Sequence, residues 1–184
     1  LLLREVWTGT RKDVVSTPAF LSALSDMPSG APILDAEALK KLNNEAVIDL
    51  SRSDYDMAVL KLEQALKAAP SYSRARENLA VAYNNYGLTK QQTPVEAIKY
   101  FHKAIFLDPD NGTCVENLRG IIRKMGKDPY NFADRVALGD ECLNDDCNIG
   151  SIIEYRAALA IHEDDVVRSK LEKAQALQDP TRYP

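Results

Sequence analysis

No run of about 18 apolar residues occurs anywhere in the 184-residue chain, so no segment reads as a helix that crosses a bilayer. Glycine and proline number only 8 and 9, too few punctuating residues for an all-β domain built from short strands and frequent turns. An excess of positive charge is also missing: 23 Lys and Arg face 27 Asp and Glu, and the net charge of −4 gives no global field to recruit nucleic acid or anionic lipid. Catalytic signatures are absent as well, with no glycine-rich phosphate loop and no Ser/His/Asp grouping at a recognisable spacing. The chain has two histidines, His102 and His162, and three cysteines, Cys114, Cys142 and Cys147, with no CxxC pair. That supplies no metal-ligand pattern, so neither a metal nor another cofactor is expected. The cysteines read as buried free thiols. A Cys142–Cys147 disulfide closing a turn between two helices is the alternative, and it would imply an oxidising compartment.

What is present is an ordinary folded composition, 45% apolar and 27% charged, which argues against wholesale disorder. Its most informative feature is self-similarity. Leu42, Ala46, Tyr55, Ala58, Leu62, Ala65 and Pro70 form one bipartite pattern. Leu79, Ala80, Tyr83, Ala97, Phe101, Ala104 and Pro109 repeat it, and Leu138, Gly139, Tyr155 and Ala158 return to it. Each copy places a small residue where one helix is crossed by another, then a second helix carrying small and aromatic residues at helical spacing. One such hairpin cannot bury its apolar face alone, so copies must stack.

The stretches "NNEAVIDLSRSDYDMAVLKLEQALKAAP", "ENLAVAYNNYG" and "PVEAIKYFHKAIFLDP" resemble tetratricopeptide repeats. The resemblance is close over 39–111 and looser to about 165. It implies an all-α, right-handed α-solenoid of about seven to eight antiparallel helices. It also implies a non-catalytic module that binds a protein or peptide partner.

Residues 1–34 do not match the pattern and read as a partly irregular extension, with one short helical stretch from Ala19 to Leu24. The chain opens at Leu1 rather than Met, so it reads as a piece of a longer protein. Its first leucines are then a trimmed signal or anchor remnant, or a plain cut. The address stays open from the sequence, with the cytoplasm slightly favoured over secretion or the periplasm.

The repeat domain is expected over 35–178, with copies near 39–72 and 73–111, a divergent part at 112–131, a further copy at 132–165, a cap helix at 166–178, and a tail at 179–184. Asp35 should cap a helix over 36–51, and Ser53 or Asp54 its partner over 54–68. The next helix is expected from Ser71 to Tyr86, followed by a capping box at Thr93-Pro94-Val95-Glu96. Pro70 and Pro109 stand further apart than the family period of about 34 residues, and the surplus is expected to bulge from the turn "GLTKQQT". Helices over 113–125 and 130–144 are expected to pair as a divergent hairpin, with 148–161 and 165–177 forming the next. In the last of these Val167, Leu171, Ala174 and Leu177 make the apolar face.

The resemblance implies that the first helix of each copy lines a concave groove. The groove position is then Asn44, Asn78 and Asn117, a row of carboxamides able to hold the main chain of an extended peptide. Lys40 and Arg74 each lie one turn before an asparagine of that row. Asn43, Val47, Glu77, Val81 and Asn85, with Glu116, Gly120 and Lys124, complete the expected lining. Lys40, Asn44 and Asn78 match the family's carboxylate clamp, but Thr113 and Asn117 stand where it needs Lys and Arg, which removes much of the required charge. Val6 and Trp7 are further contact candidates. Other readings are a structural assembly or homo-oligomer using the convex face or end helices, or a regulatory segment of a larger protein. His102 reads as a surface or packing residue, His162 as a helix C-terminal residue whose imidazolium would suit the dipole, the pairs Asp145-Asp146 and Asp164-Asp165 as turns and caps, and Asn111-Gly112-Thr113 as a glycosylation triplet relevant only to a secreted chain.

Overall fold

Local signals decide where most of the helices begin. In the computed structural model, which describes residues 35–145 and 147–178, the helices are α1 (Ala36–Ser51), α2 (Tyr55–Ala68), α3 (Ser73–Thr89), α4 (Pro94–Leu107), α5 (Gly112–Lys124), α6 (Phe132–Asn144), α7 (Asn148–Ile161) and α8 (Asp165–Leu177). The extension over 1–34, with the Ala19 to Leu24 stretch, Val6 and Trp7, and the 179–184 tail lie outside the described residues. No strand occurs among the described residues, and the fold is an all-α helical repeat whose helices pack neighbour to neighbour. None of these helices is long and apolar enough to cross a membrane.

Asp35 Oδ1 accepts from the Ala38 amide at 2.7 Å and Asp164 Oδ1 from Val167 at 2.9 Å, each meeting an amide that the helix itself leaves unpaired. Asp54, not Ser53, caps α2 through Met57, while Ser53 takes the left-handed φ of 61° that turns the chain. The Thr93 capping box does not form. Thr93 Oγ1 engages Lys90 O and Glu96 Oε2 instead of an amide, and Pro94 still opens α4. Asn111 of the glycosylation triplet caps α5, its Oδ1 accepting from Cys114 N at 3.3 Å.

The surplus in the second copy is also placed differently from the expectation. It lengthens α3, which continues a full turn further past Asn78 than α1 does past Asn44, and the following turn stays short. Gly87 permits this. A Cβ there would stand 2.8 Å from the Phe101 ring, so α3 approaches α4 at a distance only glycine allows. Gly139 is placed likewise against Tyr155.

Contacts divide the described chain into residues 35–83 and Asn84–Gln178, with the boundary inside α3. In the first unit α1 and α2 pack as a hairpin through Ala46, Ala58, Leu62 and Ala65, all fully buried. Tyr83 OH donates to Glu63. In the second unit α4 packs against α5, and α6 against α7. The expected α5–α6 hairpin is therefore not the packing unit. Instead α7 packs against both α6 and α4, taking the place beside α4 that a partner of α5 would have filled. α8 closes this end: Val167 and Ala174 are buried against Ile152, Tyr155 and Ala158, and Leu171 is partly buried beside them. Leu177, expected on that face, is 52% exposed.

Candidate functional site

The residues of the expected groove fall in both units. Lys40, Asn44, Arg74 and Glu77 are exposed, and Val47 and Val81 remain 43% and 42% exposed. Asn43 is buried. Its Oδ1 accepts from Asn78 Nδ2 at 2.8 Å, so this carboxamide pair ties α1 to α3. In the second unit Asn117 Nδ2 donates to Asn84 Oδ1 at 2.8 Å, tying α5 to α3, and half-buried Asn85 accepts from Asn84 at 3.4 Å. Asn78 and Asn117 thus spend donor capacity on the fold, whereas Asn44 has no hydrogen-bond partner among the described residues. Glu116, Asn117, Gly120 and Lys124 share a hollow of about 100 Å³ with Leu88 and Gln91.

A second constellation lies in the Asn84–Gln178 unit and has no counterpart among the sequence expectations. Glu154 on α7 has no solvent exposure. Its Oε1 accepts from His102 Nε2 of α4 at 2.6 Å, and its Oε2 accepts from Arg135 Nη1 of α6 at 2.6 Å. Arg135 is itself buried and donates through Nε to Pro129 O at 2.8 Å. A buried carboxylate survives only with both oxygens satisfied and its charge matched, and this arrangement does both. His102, expected at the surface or in simple packing, is fully buried at the junction of three helices.

Beyond His102 lie two sulfurs. His102 Nδ1, Cys142 Sγ and Cys147 Sγ are all within 4.8 Å of one another, and Nδ1 has no hydrogen-bond partner of normal geometry among the described residues. Cys142 and Cys147 are free thiols, held in one turn by the Cys147 amide donating to Cys142 O at 2.8 Å. Cys147 is also the residue from which α7 starts, where helix amides favour negative charge. The neighbouring Cys142 thiol outweighs burial and, with His102 and the Gly150 amide, holds the Cys147 thiol well below its usual value. The neighbouring Cys147 and burial push Cys142 the other way. Burial opposes a charge on His102, but Cys147 and Glu154 raise it to about 9. Burial would likewise raise the Glu154 carboxyl, but His102 and Arg135 hold it below the usual range. Cys114 stands apart, pushed up to about 11 by burial.

The sequence carried one overlooked signal. "NIGSIIEYRAALAI" is a nearly all-apolar helix, and a lone acid in its middle needs a buried partner. Its partners lie on other helices, so no local spacing could name them. No family model and no curated protein matches the chain.

Proposed function

We propose that this chain is a tetratricopeptide-like interaction module that binds an extended segment of a protein partner along the first helices of its repeats. The observation that supports this reading is the face shared by α1 and α3 in the 35–83 unit. The Asn43–Asn78 bond holds the two helices together, while Lys40, Asn44, Val47, Glu77 and Val81 stay open to solvent beside it. Apolar side chains left exposed next to an unengaged carboxamide suit a ligand that offers both main chain and side chains. The carboxamide row contributes mainly through Asn44, since Asn78 and Asn117 already hold helices together.

Selection from a random displayed-peptide library followed by fluorescence anisotropy tests the reading. A selected peptide should lose at least about tenfold in affinity with Asn44→Ala or Val81→Asp, about the 1.4 kcal/mol of one good contact. Affinity unchanged in both variants would reject the groove. Arg74→Ala and Lys40→Ala report whether a ligand carboxylate contributes.

A further inference from the structure

We propose that His102, Cys142 and Cys147 form a zinc-binding site with three protein ligands and a fourth position open beside Cys147. Thiolate sulfur and imidazole nitrogen are the donors zinc prefers, and a Cys₂His set is one of its recurrent three-ligand arrangements. The three donor atoms already lie within 4.8 Å of one another. A tetrahedral ion with bonds of about 2.3 Å to sulfur and about 2.0 Å to nitrogen would set them about 3.5–3.8 Å apart. The closure needed is about 1 Å, and half-buried Cys147, in the turn before α7, is the ligand with room to make it.

Three features beyond proximity point the same way. The first is the unpartnered Nδ1 of a histidine with no solvent exposure, aimed at the two sulfurs. Glu154 accepts from Nε2, which fixes the tautomer: in the neutral ring the proton stays on Nε2 and the Nδ1 lone pair faces the sulfurs. A carboxylate behind a ligating imidazole is the usual second support of a zinc histidine, and Arg135 anchors that carboxylate in turn. The second is charge. Two thiolates balance Zn²⁺ while Glu154 is balanced by Arg135, so the buried site closes neutral. The third is Gly150. A Cβ there would lie 2.7 Å from both Cys142 Sγ and His102 Nδ1, so the absence of a side chain at 150 keeps room for the two donors.

Cobalt(II) is the probe, because tetrahedral thiolate ligation gives it intense visible bands and a thiolate-to-metal charge-transfer band. The reduced, metal-free 184-residue chain should bind one Co²⁺ with both features, and Zn²⁺ should displace it and bleach them. Cys147→Ser should weaken binding by at least about 100-fold, no less than losing a supporting residue costs. Serine is a good N-cap, so this variant keeps the start of α7 and should retain its circular dichroism. Cys142→Ser should behave likewise, and Cys114→Ser should bind as the wild type does. Absence of the charge-transfer band from reduced wild type overturns the proposal, as does wild-type affinity in Cys147→Ser. A thiol count showing Cys142 and Cys147 bridged, with no metal bound after reduction, overturns it in favour of a disulfide.

Discussion

A carboxylate with no solvent exposure persists at position 154 because both of its oxygens are taken, one by His102 and one by Arg135. Removing it strands a guanidinium and an imidazole in the interior. Glu154→Ala should therefore cost about 3–5 kcal/mol in urea unfolding, in the range for breaking one side of a buried ion pair. A loss under about 1 kcal/mol would mean that water reaches the cluster. Asp140 shows the weaker, exposed version of the same physics. Burial would raise its carboxyl, but Lys170, at 2.7 Å, and the Tyr155 hydroxyl hold it below the usual range. A lowered folded-state value means the stabilisation is present above the unfolded value of about 3.9 and is lost as pH falls through the folded one. The Asp140 side chain is 42% exposed, so solvent screening limits the effect. Asp140→Asn should lower stability at pH 7 by less than about 1 kcal/mol. Its difference from wild type should shrink as pH falls below the unfolded value of about 3.9 and through the lower folded one, as pH-dependent unfolding would show.

At the level of elements, legibility followed the range of the signal. Asp35, Asp54, Pro94 and Asp164 act on amides or backbone within a few residues, so the starts of α1, α2, α4 and α8 could be read directly. The end of α3 could not. Gly87 reads as a helix breaker in sequence, yet the helix runs through it to Thr89, and its missing side chain makes room for the Phe101 ring at a cost in helix propensity. Gly87→Ala tests that account. On propensity alone it should stabilise by roughly 0.5–1 kcal/mol, whereas a methyl group 2.8 Å from the ring should destabilise by about 1–3 kcal/mol. Thermal unfolding at unchanged helicity distinguishes the two signs. The burial of His102 and the identity of its partners were illegible for a related reason. They depend on which helix fills the place beside α4, and Arg135, Glu154 and the two thiols approach His102 only once α7 has done so.

For the whole chain, neighbour-to-neighbour packing makes stability a sum over hairpins and the interfaces between successive ones, rather than a property of one shared core. A cavity should then be felt mainly where it is made. Leu62 is fully buried in the α1–α2 hairpin, and Ile152 is buried in the cluster joining α7 to α8. Leu62→Ala and Ile152→Ala should each cost about 2–5 kcal/mol locally. Native-state hydrogen exchange reads the two ends separately, because each amide reports the opening that exposes it. Leu62→Ala should lower protection in α1 and α2 and leave α7 and α8 nearly unchanged, and Ile152→Ala should do the reverse. An equal fall at both ends, from either variant, would show that the helices open as one cooperative body. The repeat would then describe how the chain is built but not how it comes apart.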